Sequence, residues 1–312
     1  MKYSTYLLTI VAGVLLALGG FFLFSANHNS GNGETASIIG GGDNVKAYVL
    51  PISQPTLVPI LDDSALKPEI NSKAVLFYDL RSGKYLFEKN IKEKLPVASL
   101  TKVLSAIVAL ENLDQDDVVT IPKEAVRVDN ERQDLYLGEN ISVRNLIRVM
   151  IVESSNDAAY ALADYAQKKG IDFIQKINEK SLSIGMFDSS FTDPAGLDDD
   201  AFSTAEDMIK LVAYSLQYDV MWEFSREKEI LVKSEDGRIA HTVKNTNQLL
   251  GVIPDIVGGK TGYTDQALGC LILIVDLPGY DSKIISVVLG SDDRFGDTQK
   301  VIEWIKVAYH WQ

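Results

Sequence analysis

The sequence predicts an α/β fold, an antiparallel sheet built from both ends of the folded region with a helical insertion between them. Three observations lead there. Two short β-rich runs open the dense part of the chain, several helical patterns follow, and long apolar β-rich runs close it. Strands, then helices, then strands is the order of a sheet with its helices segregated, not of alternating parallel βαβ units.

Taken in chain order, residues 7–24, "LLTIVAGVLLALGGFFLF", are uncharged and about as long as a bilayer crossing requires. Lys2 precedes them and places the N-terminus in the cytoplasm. Cleavage after Ala26 would leave Phe24 at the third position back, where signal processing wants a small residue. Residues 1–26 therefore read as an uncleaved anchor, with a cleaved signal segment as the alternative; both export the rest of the chain. Residues 27–68 are dominated by Gly, Ser, Asn and Pro and read as a flexible linker. The domain is expected over residues 69–312.

It opens with "KAVLFYDL" and "KYLFEK" around Arg81-Ser82-Gly83, a hairpin signal. Leu100, Val103, Leu104, Ile107 and Leu110 then recur at helical spacing. "SVRNLIRVMIVE" predicts a helix with Ser142 at its N-cap. "NDAAYALADYAQKKG" predicts another, closed by Gly170. "STAEDMIKLVAYSL" carries a capping signal at Ser203 with Glu206 three positions on. The sequence then returns to strands. "KEILVKSEDGRIAHTV" reads as a hairpin about Asp236-Gly237, and "ALGCLILIVDL" and "SKIISVVLGS" as two buried antiparallel strands. A last helix, near residues 298–309, is expected to pack against the sheet.

Composition narrows the function. A net charge of −13 with no basic stripe argues against nucleic acid. One cysteine, Cys270, permits no intramolecular disulfide and is expected to be a buried strand residue without a role. His28, His241 and His310 are widely spaced, so a zinc site is not expected.

Three short stretches carry chemistry. In "PVASLTKVLSAIVALENL", Ser99 stands three residues before Lys102, so the two share a helix face. A serine needs an adjacent base to act as a nucleophile, and a lysine serves when burial favours its neutral form. In "ESSNDA", Ser154 and Asn156 fall at the break between two helices, where a hydroxyl and an amide can point into a cleft. In "GGKTGYT", Lys260 and Thr261 offer a cation and a hydroxyl suited to a carboxylate, and the flanking glycines admit a close backbone approach. A P-loop is excluded, because its spacing would need glycine where the chain has Pro254. Each stretch alone has a plain structural explanation: a solvated lysine, a helix cap, a glycine-rich turn. Together, S-x-x-K, S-x-N and K-T-G at intervals of about 55 and about 105 residues form the signature of penicillin-recognising serine enzymes.

The resemblance extends beyond the motifs. "AVLFYDLRSGKYLFEKNIKEKLPVASLTKVLSAIVALE", "FTDPAGLDDDAFSTAEDMIKLV" and "HTVKNTNQLLGVIPDIVGGKTGYTDQALGCLILIV" look like the D-alanyl-D-alanine carboxypeptidases, the low-molecular-mass penicillin-binding proteins of peptidase family S11, over residues 69–312. That resemblance implies the DD-peptidase/β-lactamase-like fold, an antiparallel sheet flanked by helices plus an all-helical lobe. It implies acylation of Ser99 by the penultimate D-Ala of a peptidoglycan stem peptide ending in D-Ala-D-Ala, with Lys102 taking the proton and Ser154 relaying one to the leaving amine. Asn156 would bind the substrate backbone and orient Lys102. Lys260 and Thr261 would hold the terminal carboxylate, with Gly262 and Tyr263 completing the substrate-binding strand. The backbone N–H groups of Ser99 and Tyr263 would form the oxyanion hole. β-Lactams would inhibit covalently, and no metal or organic cofactor is implied. Many members carry a further β-rich domain and a C-terminal amphipathic helix, and both are expected to be absent here. Position 155 is Ser where Gly is frequent, a change expected to be tolerated.

The same site could serve a DD-endopeptidase. A class A β-lactamase would also need a water-activating E-x-x-L-N, and the nearest match, Glu179-Lys180-Ser181-Leu182-Ser183, lacks the Asn. A non-catalytic wall-binding module predicts loss of a motif residue, and none is lost. A Ser-His-Asp hydrolase would need His241 as base and a Gly-x-Ser-x-Gly elbow, which the chain does not have.

Overall fold

The computed structural model describes residues 57–128 and 134–312. At its centre stands a five-stranded antiparallel sheet. Its strands are β2 (Ala74–Asp79), β3 (Tyr85–Lys89), β8 (Ile256–Thr264), β9 (Leu268–Leu277) and β10 (Ser282–Ser291), in the order β3-β2-β10-β9-β8. The two chain segments thus meet where β2 pairs with β10.

Both faces of the sheet are covered, and the period-2 alternation divides the residues between them. Val75, Phe77, Leu271, Leu273, Ile284 and Val288 face the last helix, α7 (Arg294–Ala308), through its Val301, Ile302 and Ile305. Leu76, Cys270, Ile272, Ile274, Ile285 and Val287 face the helical insertion. Two buried faces explain why β9 and β10 read as near-continuous apolar runs. Each fully buried aliphatic side chain contributes about 1.5–3 kcal/mol relative to its exposed state.

The insertion comprises α1 (Thr101–Asn112), α2 (Val143–Val152), α3 (Asn156–Lys168), α4 (Phe173–Ser183), α5 (Ala205–Ser215) and α6 (Asp219–Arg226). Helix α1 is buried on every side from Thr101 to Ala109, so its polar positions there must be satisfied inside the protein. Helix α3 closes as expected. Gly170 adopts φ +79°, its N–H bonds to Gln167 O and that of Ile171 to Ala166 O, the Schellman pattern. Three small sheets complete the fold: β4 (Val118–Thr120) with β5 (Asn140–Ser142), β6 (Glu229–Lys233) with β7 (Ala240–Lys244), and β1 (Pro59–Leu61) with β11 (Tyr309–Trp311).

Several boundaries differ from the sequence reading. The α5 cap is Thr204, whose Oγ1 accepts from Asp207 N at 3.0 Å, because Ser203 is held one residue earlier in a bridge to Leu95. Ser142 occupies the N-cap of α2 but its side chain makes no capping bond. Helix α7 starts at Arg294, before its apolar stripe, because Asp293 caps it through Gly296 N. The end of the expected linker is structured, since β1 pairs with the chain's last strand. The expected anchor, residues 1–26, and residues 27–56 lie outside the described residues, and among the described residues no helix is long and apolar enough to cross a membrane.

Candidate active site

Ser99 lies in a 3-10 turn, Ala98–Leu100, that leads into α1. The turn is tight: Ala98 adopts φ +47°, a left-handed conformation that costs an L-residue roughly 1–2 kcal/mol. It leaves Ser99 partly exposed at the helix mouth while Lys102, one turn on, is wholly buried at 0% exposure. Lys102 Nζ lies 2.8 Å from Ser99 Oγ, 2.7 Å from Asn156 Oδ1 and 2.8 Å from the Ala195 carbonyl. A general base must come within about 2.6–3.2 Å of the proton's carrier, and Lys102 does.

The second wall is the break between α2 and α3. Ser154 takes φ +66°, a left-handed conformation, and its hydroxyl meets strand β8 through Lys260 Nζ. Ser155, fully buried, caps α3 by accepting from Ala158 N. The plain capping role thus falls to Ser155, while its neighbours Ser154 and Asn156 reach the cleft. The next residue, Asp157, steadies this wall by accepting from Asp134 N and Leu135 N at 2.9 and 3.0 Å.

Strand β8 is the third wall. Lys260, 1% exposed, donates to Ser154 Oγ and to Thr261 O, each at 2.7 Å. A Cβ on Gly262 would stand 3.0 Å from Ser99 N and 3.0 Å from Val97 O, so the strand runs flush against the turn that carries Ser99. Gly258 serves a different neighbour: a Cβ there would meet Trp222 and Ser225 of α6 at 2.6 and 2.7 Å. The close approach these glycines permit is therefore made by the protein's own turn and helix. Two buried lysines thus come from opposite walls, each engaging a serine hydroxyl. Such a set can take a proton from one hydroxyl and hand one to a leaving group at the other.

Tyr263, 59% exposed, directs its ring to solvent, with its hydroxyl 3.4 Å from Asp265 Oδ1. Three contributors were not expected. Thr246 Oγ1 lies 2.5 Å from Thr261 Oγ1. Arg294 donates to Gly262 O at 3.4 Å, and burial holds its guanidinium below the ordinary value. It borders a cavity of about 270 Å³ shared with Tyr263 and Ser291. The Ala195 carbonyl is the third, and its side chain offers no signal; the turn-prone Asp193-Pro194-Ala195-Gly196 does.

Other candidates sit elsewhere. His241, the second residue of β7, lies 2.6 Å from Glu139 Oε1, and its ring packs at a tilt against Tyr136. Glu179 lies exposed on α4, bonded to Lys176 and Gln175. Cys270 is buried in β9, which pushes its thiol up to about 11. A cavity of about 550 Å³ beside β3 and Trp304 contains none of the motif residues. Among the described residues no group of His, Cys, Asp or Glu could hold a metal ion.

Comparison with known proteins places the chain in a family. A family model for D-alanyl-D-alanine carboxypeptidase, peptidase S11, matches residues 62–293. The chain is 30% identical over 244 residues to D-alanyl-D-alanine carboxypeptidase DacF of Bacillus subtilis, and 34% over 253 residues to DacC of Escherichia coli. Each alignment covers 76% of this chain and 62% of the relative, so the chain spans less than two thirds of those carboxypeptidases. A D-alanyl-D-alanine endopeptidase of Pseudomonas aeruginosa is 27% identical, with 78% of this chain and 80% of that protein covered. Among solved structures, penicillin-binding protein D2 of Listeria monocytogenes in its ampicillin-bound form superposes with a TM-score of 0.65 at 28% identity, covering 77% of this chain and 99% of that one.

Proposed function

The chain belongs to the peptidase S11 family of D-alanyl-D-alanine carboxypeptidases, and we propose that it is a serine-type D-Ala-D-Ala carboxypeptidase that trims peptidoglycan stem peptides through an acyl-enzyme. The observation that carries this reading is the triangle of Lys102 Nζ with Ser99 Oγ and Asn156 Oδ1, at 2.8 and 2.7 Å. Ser99 Oγ attacks the carbonyl carbon of the penultimate D-Ala and its proton passes to Lys102. The backbone N–H groups of Ser99 and Tyr263 receive the developing oxyanion; one such donor is typically worth about 2.7–4 kcal/mol in activation free energy. The C–N bond breaks, and Ser154, linked to Lys260, delivers a proton to the departing D-Ala amine. Water then cleaves the ester and Ser99 regains its proton. Lys260 and Thr261 hold the terminal carboxylate, with Gly262 and Tyr263 on the same strand against the substrate.

The same site opens a β-lactam, leaving Ser99 acylated, so these drugs are covalent inhibitors in this reading. The uncharged run at residues 7–24 supports an extracytoplasmic domain tethered to the bacterial membrane. A second reading, cleavage of cross-links as a DD-endopeptidase, uses the same residues and is favoured by the endopeptidase relative's extensive match. The remote position of Glu179 speaks against a class A-like β-lactamase.

The test is labelling with a fluorescent penicillin, read on a denaturing gel and by intact mass, for the wild type and Ser99→Ala. A stable adduct on the wild type alone is expected. Folded wild type without an adduct would overturn the nucleophile assignment and favour a non-catalytic wall-binding role. Product analysis on a pentapeptide and on a cross-linked dimer then separates carboxypeptidase from endopeptidase.

A further inference from the structure

We propose that Asp193 is a positioning residue for acylation: its carboxylate folds the loop at residues 193–198 so that the Ala195 carbonyl holds Lys102 Nζ on Ser99. The inference rests on the reading of Ser99 as nucleophile and Lys102 as its base. Asp193 is buried, and its two oxygens are occupied by the loop's own backbone. Oδ1 accepts from Ala195 N and Gly196 N at 2.6 and 2.7 Å, and Oδ2 from Leu197 N and Asp198 N at 2.9 and 2.7 Å. A carboxylate offers about four lone-pair sites, and backbone donors fill them. Consecutive N–H dipoles aimed at one point repel one another unless an anion sits there. Asp193 is that anion, and the turn it sustains faces its carbonyls the other way.

Those carbonyls meet α1. Pro194 O accepts from Ser105 Oγ at 2.7 Å, and Ala195 O from Lys102 Nζ at 2.8 Å. Gly196 packs so closely on the nucleophile's turn that a Cβ would stand 1.9 Å from Ala98 O. The loop therefore touches α1 on both sides of the base. The chemical consequence concerns the lone pair. A neutral lysine amine has two N–H bonds and one lone pair. With Asn156 Oδ1 and Ala195 O accepting the two N–H bonds, the remaining direction points at the Ser99 hydroxyl. When Ser99 gives up its proton, the resulting ammonium finds an acceptor for each of its three N–H bonds. Without the Ala195 carbonyl the amine loses one of the acceptors that aim its lone pair at Ser99.

The test uses the full chain as Asp193→Ala and Asp193→Asn, with Asp172→Ala as a stability control. Asp172 caps α4 through Gln175 N and has no part in the site. The rate of acylation by fluorescent penicillin is followed from about pH 5 to about pH 10 alongside Tm, so that the acid limb reports the base. Asp193→Ala is expected to acylate at least about tenfold more slowly, since small misplacements of reacting groups carry large rate losses. Its acid limb should move to lower pH, because the ammonium has lost an acceptor. Asp193→Asn keeps one accepting oxygen and should retain part of the rate. A folded Asp193→Ala that acylates within about twofold of the wild type with the same acid limb overturns the proposal. So does a loss that Asp172→Ala reproduces at equal change in Tm. If Asp193→Ala does not fold, Asp193→Asn decides by the same two readouts. Wild type that takes no label removes the nucleophile reading, and this proposal falls with it.

Discussion

Gly196→Ala and Gly170→Ala form a matched pair that separates backbone conformation from contact with the turn that carries Ser99. Both glycines are left-handed, at φ +75° and +79°. A Cβ on Gly170 would meet nothing within 4 Å, whereas one on Gly196 would stand 1.9 Å from Ala98 O, 2.5 Å from Ala98 C and 2.7 Å from Thr101 Oγ1. The conformational cost is therefore common to both, about 1–2 kcal/mol. At about 2–4 °C per kcal/mol for a domain of this size, Gly170→Ala should lose a few degrees of Tm and acylate normally. Gly196→Ala adds a backbone overlap of more than an ångström, which the turn before Ser99 must absorb by moving. Overpacking of that kind adds about 1–3 kcal/mol. A shift of about 1 Å at the reacting group costs on the order of 100-fold in rate. The assay is fluorescent-penicillin acylation with Tm measured on the same samples. Gly196→Ala acylating at the wild-type rate would refute the reasoning, as would an equal loss of rate in Gly170→Ala.

Buried and bridged groups give two more expected outcomes. Burial opposes the Glu111 carboxylate, but hydrogen bonds from Lys180, Tyr218 and Tyr214 outweigh it and hold the group below its ordinary value of 4.5. A lowered folded-state value stabilises above the unfolded value and is lost as pH falls through the folded one. Glu111→Gln should therefore lower Tm by up to about 2–4 °C at neutral pH, and the gap should narrow in acid below about pH 4.5; a gap that widens there contradicts the assignment. Cys270, buried in β9 with its thiol pushed up to about 11, should resist a thiol reagent at mildly alkaline pH in the native protein and react fully after denaturation. Rapid native labelling would show that β9 opens.

The sheet was legible because it is covered on both faces. Double burial removes polar residues from β9 and β10 and leaves uninterrupted apolar runs, which stand out against the turn Pro278-Gly279-Tyr280. The same logic fails at the margins. Strand β1 is three residues long, has two of them exposed, and exists by pairing with the far end of the chain, so local composition reads it as linker. Ser203 and Thr204 are both competent caps, and the choice between them depends on Leu95, over a hundred residues away, which fixes Ser203 in a bridge.

Legibility at the site depends on whether a residue acts through its side chain or its backbone. Ser99, Lys102, Ser154, Asn156, Lys260 and Thr261 contribute hydroxyl, amine or amide groups, so residue type and spacing betray them. Ala195 contributes a carbonyl that any residue would offer, and its methyl group says nothing about Lys102. What makes that carbonyl effective is Asp193, which lies two residues earlier and gathers the N–H groups of the next turn. Arg294 was hidden for a related reason: its charge lies ahead of the apolar stripe that announces α7, at a position set by the Asp293 cap. Signals of this class are turn chemistry, an acceptor followed by Pro and Gly, or an Asp one residue before a helix. They come to bear on the site only when the fold delivers the turn to it, as the loop at residues 193–198 delivers the Ala195 carbonyl to Lys102.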